Sequence, residues 1–140
     1  MAANEGQVWP NAGVSNVPGR KTLVLEVVYG ASGAASAIGK NFQLVNNTAT
    51  GKITITFDRT YRHLKNMNWG WKVAGAGAVL TPVILTNNIS TADTNGGGTV
   101  IIETRASAGT ATNPSNGDKL TLWFDVSNDV LSDDGAVTVT

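Results

Sequence analysis

The chain has 140 residues, no cysteine, and ten Lys+Arg against ten Asp+Glu. This composition excludes a disulfide framework, a thiolate zinc site and a cysteine nucleophile, and it disfavours a dedicated nucleic-acid binder, which is normally basic. Only 14% of residues are charged, against roughly 25% in an ordinary soluble domain, so little charge repulsion holds copies apart and a homo-oligomer is expected.

In chain order, residues 1–19 come first. Met1-Ala2-Ala3-Asn4-Glu5-Gly6 lacks the basic region and apolar core of a secretory signal. No apolar run anywhere approaches the ~20 residues that span a bilayer. The expectation is a soluble product of a cytoplasm with no membrane partner. The segment carries Gly6, Pro10, Gly13, Pro18 and Gly19 among the apolar side chains of Val8, Trp9, Val14 and Val17. It reads as an extended arm. Its aromatic and β-branched content is unusual for a merely solvated tail.

From residue 20 to 128 the signal has period two. Lys52-Ile53-Thr54-Ile55-Thr56-Phe57-Asp58 places Ile53, Ile55 and Phe57 on one face and polar residues on the other. Lys119 to Val126 does the same with Leu120, Leu122, Phe124 and Val126 inward. Such alternation marks half-buried antiparallel strands. Thr22–Tyr29, Asn41–Val45, Asn66–Val73, Val79–Thr86 and Thr99–Arg105 are weaker segments of the same kind, rich in β-branched residues. That predicts seven strands, with Leu23, Leu25 and Val27 completing the core. Breakers at 30–33, 46–51, 75–77, 95–98 and 113–118 separate them. Asn95-Gly96-Gly97-Gly98 reads as a flexible hairpin tip. Asp58 to Leu64, led by a good N-cap residue, is the one candidate for a helical turn. Short strands with Gly- and Asn-rich turns predict an all-β, antiparallel β-sandwich, jelly-roll-like, over residues 20–128. Residues 129–140 follow as a C-terminal tail, ending in the β-prone Ala136-Val137-Thr138-Val139-Thr140.

Charge is uneven along the chain. Residues 20–72 hold eight cations and two acids, and residues 73–140 hold seven acids and two cations. Either the halves separate into a dipole suited to head-to-tail packing, or their strands interleave and the asymmetry cancels.

Catalytic signals are sparse. The one histidine, His63, stands beside Arg62 and Lys65 and reads as a surface residue. There is no Gly-x-Ser-x-Gly elbow and no phosphate-binding Gly-x-x-x-x-Gly-Lys loop. Asp125, Asp129, Asp133 and Asp134 lack the alternate-position spacing and bend glycine of a calcium loop. The expectation is no enzyme, no metal and no cofactor. Aromatics are more informative. Trp69 and Trp71 lie two apart on one strand and share a face, either core or a platform on which sugar rings stack, as in carbohydrate-binding modules. Trp123 alternates with Leu122 and Phe124 and therefore faces outward. Tryptophan is enriched at interface hot spots.

The segment Gly51-Lys52-Ile53-Thr54-Ile55-Thr56-Phe57-Asp58-Arg59-Thr60-Tyr61-Arg62-His63-Leu64 is followed by Thr99–Arg105, by the loop Gly109-Thr110-Ala111-Thr112-Asn113-Pro114, and by Gly117-Asp118-Lys119-Leu120-Thr121-Leu122-Trp123-Phe124-Asp125-Val126-Ser127-Asn128. Over about residues 50–128 this order resembles small β-rich virion proteins of tailed bacteriophages, among them capsid decoration (cement) proteins. The resemblance implies a structural protein made in the host bacterial cytoplasm. It would sit on the outer capsid surface, bind the major capsid protein and stabilise contacts between capsomers, often through a terminal arm. The candidate contact residues are Trp9, Val14, Val17 and Trp123, with Trp9 as anchor and Ala136–Thr140 able to add a strand to an adjacent sheet edge. Alternatives are a carbohydrate-binding module using Trp69 and Trp71, and a tail-tube or connector subunit.

Overall fold

The computed structural model describes residues 20–75, 77 and 79–128. The expected contact residues Trp9, Val14 and Val17, and the segment 136–140, lie outside the described residues. The rest is all-β. Eight strands run in chain order: β1 (Arg20–Gly30), β2 (Gly33–Ile38), β3 (Phe42–Ala49), β4 (Lys52–Phe57), β5 (His63–Lys72), β6 (Thr81–Asn88), β7 (Thr99–Arg105) and β8 (Lys119–Ser127). They form two four-stranded antiparallel sheets, ordered β2-β1-β8-β5 and β3-β4-β7-β6. The hairpins β1–β2, β3–β4 and β6–β7 stay within a sheet, and the other connections cross between sheets.

Period-two burial positions the layers. On β1, Leu23, Leu25 and Val27 are buried while Val24 between them is exposed, and on β8, Leu120, Leu122, Phe124 and Val126 alternate with outward Thr121, Trp123 and Asp125. Register aligns them across the ladder: Leu23 opposes Phe124, Leu25 opposes Leu122, and Val27 opposes Leu120. The second sheet answers with Ile53, Ile55, Phe57, Val100 and Ile102. All ten residues predicted to face inward are buried. An aromatic cluster anchors one end of the core. Phe57 lies edge-on to Phe124 at 5.2 Å between centroids and to Tyr61 at 5.9 Å, with Phe42 at 4.9 Å, the tilted geometries that the ring quadrupole favours.

Three local expectations are corrected. First, a strand, β2, occupies Gly33–Ile38, where the sequence shows no alternation. It has small residues, is largely exposed, and is held as the second arm of a hairpin on β1. Second, Asp58 to Leu64 is not helical. Asp58 anchors an irregular crossing instead: its amide donates to the Asn41 carbonyl (2.9 Å), and its Oδ1 accepts from the buried Tyr61 hydroxyl (2.7 Å). Burial, aided by that carboxylate, pushes the Tyr61 hydroxyl well above its ordinary pKa. Third, Gly97 and Gly98 are buried rather than a free tip. A Cβ on Gly97 would overlap the Phe57 carbonyl oxygen, and one on Gly98 the Ile89 carbonyl oxygen. Gly98 is tied on both sides, its carbonyl accepting from Phe57 N (2.9 Å) and its amide donating to Arg59 O (3.1 Å). The glycines are required for close approach of two backbones.

The charge-biased halves interleave. β8, from the acidic half, lies between β1 and β5 from the basic half, and β7 lies beside β4.

Candidate functional site

Two features of the sandwich bear on contact with other molecules: the pole from which the termini lead, and the open side between β5 and β6.

The first pole is defined by register. Arg20, the first residue of β1, pairs with Ser127, the last of β8, and His63, the first of β5, pairs with the same Ser127. Asn128 is fixed just beyond, its Oδ1 accepting from Arg62 N at 3.0 Å. Arg20 and Asn128, the two ends of the described stretch, therefore lie side by side at one end of the central strands. His63 sits at this pole half-buried, not on an open surface, and its Nε2 is buried without a hydrogen-bond partner.

The opposite pole is tied by side chain to backbone bonds. Asp118, buried, accepts from Ala74 N (2.9 Å) and Ser115 N (3.0 Å), joining the segment after β5 to the turn before β8. Asn113 Oδ1 accepts from Gly51 N (2.7 Å), and Thr104 Oγ1 donates to Thr112 O (2.6 Å). Gly51, at φ 69°, adopts the left-handed turn conformation there. A carboxylate or amide oxygen that takes up orphan loop amides is a structural device.

Trp123 lies on the outer face of the first sheet, as alternation predicts, and is 37% exposed. It is paired across the ladder with Val24, itself 46% exposed, and on its other side with Asn68. Its ring extends over Gly70, whose missing side chain leaves space for it, 3.5 Å from where a Cβ would stand. Trp123 and Val24 make an apolar spot in the middle of a face flanked by Thr22, Glu26, Thr121 and Asp125.

Trp69 and Trp71 share the inward face of β5, opposing Leu122 and Leu120 on β8, but they do not share an environment. Trp71 is half-buried against the core, 6.1 Å from Tyr29, and its indole N–H donates to Leu80 O at 2.8 Å. Trp69 is 44% exposed. The two indoles therefore present no common open platform. Trp69 instead lines a groove of about 430 Å³ with Leu64, Met67, Pro82, Val83 and Ile84, between β5 and β6. The groove was not legible in the sequence. Period two says which residues face inward, but not that the sheets part at one edge.

Among the described residues, no group of three or more His, Cys, Asp or Glu is placed to hold a metal ion, and no helix is long and apolar enough to cross a membrane. No family model, curated protein or solved structure matches the chain.

Proposed function

We propose that the protein is a structural virion subunit that binds the outer surface of a phage capsid and stabilises contacts between capsomers. In this reading the sandwich is a rigid spacer and the N-terminal segment, with Trp9 as anchor, is the attachment device. The observation that carries it is the register pair Arg20–Ser127. Both terminal segments join the sandwich at one pole, so contacts made there would hold the rest of the sandwich away from the shell. Two further features support it. The resemblance over residues 50–128 is to virion proteins of this kind. The outward Trp123–Val24 spot offers an aromatic anchor for a second contact, with the shell or with another copy. Pro10 and Pro18 bias the arm toward extended backbone, which lowers the entropy lost on docking. Many identical weak contacts on a repeating shell then act together.

The test is reconstitution. Virions stripped of this chain are incubated with full-length protein or with residues 20–140, and occupancy is read by densitometry and by particle density. Full-length protein restores occupancy to hundreds of copies per particle, and the truncated chain does not. A few copies confined to a ring would point to a tail or connector subunit instead. The carbohydrate-binding alternative rests on Trp69 alone, since the Trp71 indole is engaged by Leu80. Glycan binding lost in Trp69→Ala would favour it.

A further inference from the structure

The two long sides of the sandwich are built differently. On the β2–β3 side the sheets are clamped: Asn47 accepts from Ala34 N (2.8 Å) and donates to Ala34 O (2.9 Å), bridging the sheets with a two-point amide pair. On the β5–β6 side they are tied at the ends. Trp71 Nε1 reaches Leu80 O at one end, and Tyr61 N donates to Ile89 O (2.9 Å) at the other. Between these ties the groove opens, walled by Leu64, Met67 and Trp69 on β5 and by Val83 and Ile84 on β6. Among the described residues both strands are sheet edges there. An unpaired edge beside an apolar groove is a site for strand addition.

We propose that this groove is the docking site for the chain's own C-terminal segment, Ala136–Thr140, which enters it as a strand antiparallel to β6 and closes the sandwich. Direction, reach and pattern each support that occupant. The two ties make β5 and β6 antiparallel across the groove, with the end of β6 at the Tyr61–Ile89 end. The bond from Arg62 N to Asn128 Oδ1 places the last described residue at that same end, which is where a strand antiparallel to β6 must start. Twelve residues follow Asn128. Extended chain covers up to about 3.3–3.6 Å per residue, so residues 129–135 span the roughly 10 Å between sheets with slack. Ser132-Asp133-Asp134-Gly135 supplies turn formers at that crossing. Residues 136–140 fit within the ladder available on β6. Pro82 has no N–H to offer, which leaves Val83–Asn88. Val137 and Val139 then face the groove beside Trp69 and Met67, and Thr138 and Thr140 face water, the alternation of a half-buried antiparallel strand. This docking is independent of the virion role and stands or falls separately from it.

The absence of cysteine makes the test direct, because one introduced thiol reports alone. Full-length protein carrying Ile84→Cys is labelled with a maleimide, with and without V137D/V139D, and the oligomeric state is measured at the same concentration. The expected result is labelling that accelerates tenfold or more when the two valines are charged, at an unchanged oligomeric state. In the unsubstituted protein, amides of Val137–Thr140 should exchange at least a hundredfold more slowly than unstructured chain. Equal labelling rates, or unprotected amides, overturn the proposal. Protection found in a dimer and lost on dilution overturns it in favour of the same segment from a second copy. Protection that survives V137D/V139D but is lost when residues 1–19 are deleted overturns it in favour of the N-terminal segment.

Discussion

At the scale of single residues, polar side chains in this fold hold loops together. Asp118 takes two loop amides at once, so Asp118→Ala strands two donors in a part-buried site. Leaving buried groups unpaired costs about 1–3 kcal/mol each, and a drop of that size in chemical denaturation, with an unchanged m-value, is expected. Gly98 is limiting for a different reason: Gly98→Ala pushes a methyl into the Ile89 carbonyl. Overpacking of this kind costs about 1–3 kcal/mol or more, enough to lower the melting temperature by several degrees. Glu103 carries a pH signature. It lies across the ladder from Lys52, with the carboxylate 3.6 Å from Lys52 Nζ, and it accepts from Arg105 Nε. The Arg105 hydrogen bond, aided by the charges of Arg105 and Lys52, holds its carboxyl below the usual carboxylate range. A carboxyl depressed in the folded state adds stability above its unfolded pKa, about 4.3, and loses it as pH falls through the folded value. Glu103→Gln should therefore flatten the acid limb of a stability–pH profile below about pH 4.3 and leave the shape near neutrality unchanged. An identical acid limb would show that the ion pair is not coupled to folding.

At the scale of elements, the strands that were legible are those whose two faces differ. β4 and β8 alternate in sequence because one face packs on the opposite sheet and the other is polar, and their inward residues are buried, although outward Thr56 and Ser127 at the strand ends are buried as well. Phe57→Ala should cost about 3–5 kcal/mol as a large-to-small change at a fully buried site. A neutral effect would contradict the assigned register. β2 was not legible because its residues are small and its outer half meets solvent on both faces, so its strand character comes from pairing with β1 rather than from its own pattern. The crossing after β4 misled in the opposite way. Asp58 looks like a helix cap, and its carboxylate does take up a donor, but that donor is the Tyr61 hydroxyl rather than a helical amide. Trp69 and Trp71 show the limit of period two for the candidate site. Alternation gives them one face, and the splay of β5 from β6 gives them different exposures. The outward placement of Trp123 was legible, since alternate positions of a central strand in a two-layer fold face outside.

At the scale of the whole molecule, the sandwich has a closed side, an open side and a pole where the terminal segments begin. Trp123→Ala leaves the core register untouched, so it should change the melting temperature little while weakening particle attachment or self-association if the outer face is a contact. Attachment and association both unchanged would remove Trp123 from the interface. The N-terminal segment is the proposed attachment device, and the eight described strands run from Arg20 to Ser127. The most direct test compares full-length protein with residues 20–140 in two readouts, thermal melting and occupancy on stripped virions. The expected result is a melting transition nearly unchanged and occupancy abolished in the truncated chain. A truncated chain that unfolds, or one that binds particles at full occupancy, would contradict it.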